Sequence, residues 1–190
     1  DRNGHKQKYY QAKGSSNHIY FPPLSEVILR DPSIALTITE GEKKTLKVNQ
    51  EGITCIGLSG VWSWCKPGTY DLIDDFSRIE LQGRKVDIAL DFPDIIVNRN
   101  VRLAAYRLAK ALIKRGAIPH FVIIPPRKNR IEEKTGLDDY LCEHSVDEFK
   151  SLKRFLLTEE MIERELISQL IHRELLYKDC LLYTSDAADE

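Results

Sequence analysis

The run SIALTIT, residues 33–39, is apolar or β-branched almost throughout and stops at a carboxylate and a glycine, Glu40-Gly41. A short run without polar alternation is the pattern of a strand buried on both faces, which requires helices on both sides of its sheet. Three more runs read the same way: ITCIGLSG (53–60), KVDIALDF (85–92) and AIPHFVIIPP (117–126). Helical patterns separate them. GEKKTLKVNQE (41–51) is followed by Gly52. NVRLAAYRLAKALIKRG (100–116) repeats Val101, Ala105, Leu108 and Leu112 at helical spacing, with Asn100 as candidate N-cap and Gly116 as stop. The segment 61–84 reads as a loop with one short helix near Leu72 to Ile79.

This alternation predicts an α/β fold, a mostly parallel sheet of about four strands with helices on both faces. Val146 to Lys178 keeps a helical pattern, with Ile162, Leu166 and Leu170 on one face, so C-terminal helices are expected to follow the sheet. The organisation reads as a polar and aromatic lead-in (1–32) with one candidate strand in HIYF, an α/β domain (33–145), a helical extension (146–179) and a tail (180–190). The tail, CLLYTSDAADE, resembles a translated sequencing adapter and is expected to add nothing to the fold. It carries three acids and no Lys or Arg, so the formal net charge of −1 becomes +2 without it. Asp1 is no initiator Met, and the natural segment is expected to be a fragment of a longer gene.

Composition narrows the class further. A hydrophobic fraction of 42% and a charged fraction of 30% are ordinary for a globular domain. No apolar run approaches the roughly 20 residues that span a bilayer, and the polar start is unlike a signal peptide. Four cysteines without CxxC spacing argue against a zinc ribbon or a disulfide framework. The expectation is a cytoplasmic protein with reduced thiols and no membrane association.

In parallel sheets, ligands bind outside the carboxyl ends of the strands. Glu40 follows the first strand, Asp91 ends the third, and Asp138 and Asp139 follow the fourth after a loop. Acids gathered at one edge repel each other. A hard divalent cation such as Mg²⁺ relieves that cost, or one carboxyl keeps its proton and becomes a general acid or base. Both serve phosphoryl transfer. No P-loop and no GxGxxG is present.

An EG pair after the first strand, an Asp ending a later one and a DD pair beyond it resemble the Toprim domain of bacterial primases, topoisomerases and some nucleases. The sequence is most similar to the Toprim-like domain of unknown function found in replication proteins and primase-related proteins of plasmids, phages and integrative elements. The residues that carry this are YFPP (20–23), ITEGEKK (38–44), IGLSGVWSW (56–64), GRKVDIALD (83–91), NRNVRLAAYRLAKAL (98–112) and KTGLDDYL (134–141). The resemblance covers roughly residues 9–145 and rests on the combination of motifs, since each alone is weak. It implies Glu40 as general base or acid, with Asp91, Asp94 and Asp138 or Asp139 as ligands of Mg²⁺ or Mn²⁺. It also implies single-stranded or primer-template DNA as substrate, and a helicase domain or subunit as partner. Two positions depart from the Toprim pattern. Lys44 stands where an acid is expected, and Asp94 comes one residue later than the second acid of D-x-D. Either the loop has an insertion and Asp94 substitutes, or the metal site is incomplete.

Each candidate has a plainer alternative. Glu40 is also placed to complement a helix N-terminus, and Asp138 or Asp139 to cap a helix. One of that pair is expected to be only a cap. Lys43 and Lys44 read as phosphate contacts or as a solvated helix face. Gly41 reads as a point of close approach at the strand end. Of Trp62 and Trp64, one is expected in the core and the other, with Trp64 the candidate, against nucleic-acid bases. Arg127, Lys128 and Arg130 form a basic loop, open to backbone phosphate or simply solvated. Two function classes follow: a metal-dependent catalytic domain, or a degenerate Toprim-like module that binds nucleic acid or a helicase without chemistry.

Overall fold

The computed structural model describes residues 16–23, 26–127 and 133–168. Each of the four apolar runs forms a strand: β2 (Leu36–Glu40), β3 (Cys55–Leu58), β4 (Lys85–Ile88) and β5 (Ile118–Val122). They lie parallel in the order β3-β2-β4-β5. The helices α2 (Glu42–Gln50) and α4 (Arg99–Lys114) are the crossovers that parallel pairing requires. Short strands β1 (Ile19–Tyr20) and β6 (Arg154–Leu156) close the two edges in antiparallel pairing, with β3 and β5 respectively. The expected mixed α/β fold with a mostly parallel sheet is therefore present, and the HIYF segment supplies β1.

Both sheet faces are covered. On one, Leu36 and Ile38 of β2, Ile56 and Leu58 of β3 and Val86 and Ile88 of β4 pack with Val101, Ala105, Leu108 and Leu112 of α4. Each fully buried Leu, Ile or Val there contributes about 1.5–3 kcal/mol. On the other face, Val48 of α2 packs with Cys55, Val122, Phe149 and with Leu137, Tyr140 and Leu141 of α5 (Leu137–Glu143). Gly57 lets α2 come this close to β3. A Cβ at residue 57 would stand 3.2 Å from Thr45 Cβ and closer still to its hydroxyl.

Three expectations need correction. The N-cap of α4 is Asn98 rather than Asn100, because Asn98 Oδ1 accepts from the amides of Asn100 (3.0 Å) and Val101 (3.4 Å). The short helix of the 61–84 loop is a 3₁₀ turn, Asp74–Arg78. The C-terminal extension is not continuously helical. A capping box between Ser145 and Glu148 starts a separate helix, α6 (Val146–Ser151). The chain then extends as β6 to satisfy the open edge of β5, before residues 159–168 resume a helix. Arg154 of β6 reaches Asp87, a buried acid of β4, at 2.9 Å. Ile162 is buried and Leu166 packs against the core, as their spacing predicts; Leu170 lies outside the described residues, as does the tail 180–190. No described helix is long and apolar enough to cross a membrane.

Candidate functional site

The carboxyl edge of the parallel strands collects the charged residues. Glu40 ends β2, in register with Leu58 of β3. The chain then turns at Gly41, whose φ of +98° is open to glycine and costly for other residues. Nothing lies within 4 Å of where a Gly41 Cβ would stand. The glycine is therefore required by backbone conformation, and not by crowding as the sequence suggested. Its amide donates to Leu58 O (2.8 Å), and its carbonyl accepts from the Thr45 hydroxyl (2.8 Å) and amide (3.1 Å). These bonds start α2 directly on the strand end and bring Lys44 back over it.

The second contributor is the loop after β4. Asp91 leaves the strand, Phe92 forms an antiparallel bridge with Thr135, and Asp94 opens α3 (Asp94–Val97). The two bridge hydrogen bonds, Phe92 N to Thr135 O (3.0 Å) and Thr135 N to Phe92 O (2.9 Å), fasten this loop to the segment before α5. Lys134, Gly136 and Asp138 are thereby drawn to the same edge.

The charges alternate there. The Lys44 ammonium pairs with Asp91, both side chains being mostly buried, at 14% and 20% exposure. The Lys134 ammonium pairs with Asp94. Burial pushes the Glu40 carboxyl above its ordinary range; the nearby charge of Asp91 pushes it further, and Lys44 and Lys134 oppose this. Asp138 Oδ1 is buried and makes no hydrogen bond within the protein. It lies 2.5 Å, and Lys44 Nζ 3.0 Å, from the point where a Gly136 Cβ would stand. Glu40, Lys44, Asp91 and Asp94 are thus brought together, and Asp138 borders them beside Lys44.

The other candidates fall elsewhere. Asp139 is held by α5's own start: one oxygen accepts from the Gly136 amide (3.1 Å), the other from Arg127 (2.9 Å). It is the capping member of the DD pair. Arg127 also pairs with Glu143 at 3.1 Å, so its guanidinium is committed to α5. Lys43 lies on the exposed face of α2. Lys128 and Arg130 lie outside the described residues. Trp64 is wholly buried in the core, so the assignment of base stacking to it is corrected: no base can reach the ring. Trp62 is the partly exposed member of the pair.

Lys134 was not singled out from the sequence. Its signal was its place beside Thr135, opposite a loop that carries two acids, and pairing across that distance is visible only in the fold. Among the described residues, no three His, Cys, Asp or Glu side chains gather into a metal-holding group. The donor set is nevertheless hard oxygen, suited to Mg²⁺. That ion is commonly held by one or two carboxylates, with water and substrate phosphate completing its shell. Asp91 and Asp94 fit that arrangement, provided the two ammonium groups yield.

No curated protein and no solved structure gives a significant match to the sequence. A family model described as Domain of unknown function (DUF3854) matches residues 25–148, from just before the short helix α1 (Glu26–Arg30) through the start of α6. That span is well over half of the chain and contains every residue of the charged edge, so the chain belongs to the DUF3854 family.

Proposed function

We propose that this is a Toprim-like domain of a replication or primase-related protein of a mobile element, working in the cytoplasm on DNA. Its reaction is phosphoryl or nucleotidyl transfer, or hydrolysis, with Mg²⁺ or Mn²⁺. The observation that carries the reading is Glu40: a carboxyl at the end of a central parallel strand, held toward its protonated form beside Asp91 and Asp94. A carboxyl that titrates closer to neutrality is suited to moving a proton to or from a hydroxyl or water. Asp91 and Asp94 are the residues to hold the cation, with Asp138 at the margin. The cation would neutralise phosphate oxygens and activate the attacking hydroxyl or water. Lys44 and Lys134 keep the acids oriented beforehand and stand ready to meet phosphate once displaced.

The test pairs binding with turnover. Calorimetry should detect Mg²⁺ or Mn²⁺ binding that Asp91→Asn removes. Primed single-stranded DNA with nucleotides should be extended or cleaved by the wild type and not by Glu40→Gln. Absence of both sinks the proposal.

One specific observation favours the second reading. Lys44 occupies the position of an acid in the Toprim pattern, and its ammonium already neutralises Asp91. A site that carries its own cation need bind no metal. In that case the domain would hold nucleic acid or a helicase without chemistry, and calorimetry would be silent while DNA binding persisted.

A further inference from the structure

Trp62 and Trp64 follow the carboxyl end of β3, four and six residues after Leu58. Trp64 is an anchor in the core, and Trp62 stacks on it, with ring centroids 6.3 Å apart and planes at 27°. Tyr70 lies next, 6.1 Å from Trp62 and tilted by 44°. The Arg107 guanidinium of α4 sits 3.7 Å over the Tyr70 ring. The Trp62 indole N–H donates to Asn100 Oδ1 at 3.0 Å, which fixes the ring against the start of α4. The side chains form a column that begins in the core and reaches solvent at Tyr70: Trp64 is wholly buried, Trp62 partly, Tyr70 is 49% exposed, and Arg107, itself partly buried, packs over the Tyr70 ring.

The column opens near the charged edge. Leu58 is the register partner of Glu40, and Asn100 comes six residues after Asp94. The cationic side is supplied by α4, which carries five Lys or Arg and no Asp or Glu. Two of these face acids of the 159–168 helix, Arg102 with Glu165 (3.8 Å) and Lys110 with Glu163 (2.7 Å). Arg107 instead lies on the aromatic ring.

We propose that Trp62, Tyr70 and Arg107 form a stacking platform for the unpaired bases of a single-stranded nucleic acid whose backbone leads toward Glu40. This rests on the nucleic-acid reading above and assigns it a binding surface. Every base offers a π-face to an aromatic ring, so such a platform holds single strands without reading their sequence. A guanidinium stacked on a ring extends the flat surface and adds positive charge. Paired bases in a duplex present no free face, so the platform discriminates by strandedness.

The chain's two tryptophans make the test direct. Trp64 is sealed in the core, so quenching of intrinsic fluorescence by a ligand reports Trp62. Titration with oligothymidylate in EDTA, with no divalent cation, should quench the wild type. A duplex of equal length should leave the fluorescence unchanged. Tyr70→Ala should weaken oligothymidylate binding about tenfold, the scale of one base-stacking contact. Tyr70→Phe should keep the wild-type affinity, because the ring and not the hydroxyl stacks. Arg107→Gln, which leaves all the aromatic rings in place, should weaken binding several-fold. If the wild type binds the oligonucleotide and all three variants bind equally, the platform is refuted while the nucleic-acid reading stands. If the wild type shows neither quenching nor binding, the platform is also refuted, and the catalytic reading is then judged on its Mg²⁺ response alone.

Discussion

Replacing Lys44 by Met would remove the ammonium that neutralises Asp91 while keeping a stem that fills the same space. An exposed ion pair is worth up to about 1 kcal/mol, and breaking a fully buried one costs about 3–5 kcal/mol. The Lys44–Asp91 pair lies between these limits, with 14% and 20% of its side chains exposed. A loss of about 2–3 kcal/mol is expected for Lys44→Met, since Asp91 would then face Glu40 and Asp94 without its partner. For a chain of this size that is a fall in melting temperature of about 4–12 °C. Mg²⁺ should act in the opposite sense. At about 100 times its Kd a native-state ligand contributes about 2.7 kcal/mol, close to what the lost ammonium gave. Thermal melts with and without Mg²⁺ should therefore show the variant well below wild type in EDTA and largely restored by metal. The wild type should gain less, because its own ammonium competes for the site. If Lys44→Met melts with the wild type in EDTA, or if metal raises neither, the ammonium is not the compensating charge and the exchange argument is wrong.

Other perturbations have equally definite signs. Glu40 titrates above its ordinary range in the folded chain, first through burial and then through Asp91, so the folded state holds a proton that the unfolded state has already released. Glu40's own contribution to stability should be greatest below the ordinary glutamate range, decline as pH rises toward the elevated folded value, and level off above it. Glu40→Gln should remove that decline, melting with the wild type at about pH 4 and above it at about pH 8; parallel curves across the range would contradict the shift. Gly41→Val should cost about 1–3 kcal/mol whether or not a ligand is present, because the penalty lies in a φ of +98°; denaturant melts would show it, and an unchanged midpoint would count against it. Arg154→Met leaves Asp87 buried in the sheet without its partner. About 2–4 kcal/mol should be lost at neutral pH and partly regained with Asp87→Asn in the same chain, whereas additive losses in the double mutant would deny the pairing.

The parallel core was legible because each central strand is a continuous apolar run, a signal that needs no partner to interpret. Residues of the edge were legible for a related reason: an acid at the end of a buried run, such as Glu40 or Asp91, stands out against its neighbours. What the acids pair with was not legible. Lys44 is close to Glu40 in sequence, but its partner Asp91 is 47 residues away, and Lys134 meets Asp94 only because Phe92 and Thr135 form a bridge. Local pattern carries no information on such meetings. The two tryptophans were misassigned for the same reason. Trp62 and Trp64 are two residues apart, so in an extended segment both rings would share one face, and which of them is buried depends on the sharp turn that Ser63 makes back to Gly60. β6 was missed because RFL is too short to outweigh the helical pattern on either side, and only the open edge of β5 makes it a strand.

The way the edge is built bears on whether its lysines can yield to a metal ion. An ion pair that also holds the backbone in place cannot be exchanged without unfolding the loop around it. Here the backbone is held by other means. Gly41 is fixed by Leu58 and Thr45, the loop after β4 by the two bonds between Phe92 and Thr135, and α5 by Asp139 capping its first turn. None of these uses Lys44, Lys134, Asp91 or Asp94 as a side-chain partner. The four charged groups therefore sit on a scaffold that persists without their pairing, and both ammonium groups are carried on flexible four-carbon stems. Exchange of an internal cation for an external one then requires only rotation of two lysine side chains, with the acids already oriented. That is the physical basis for expecting metal binding at this edge to be competitive rather than blocked, and for expecting Lys44→Met to strengthen it.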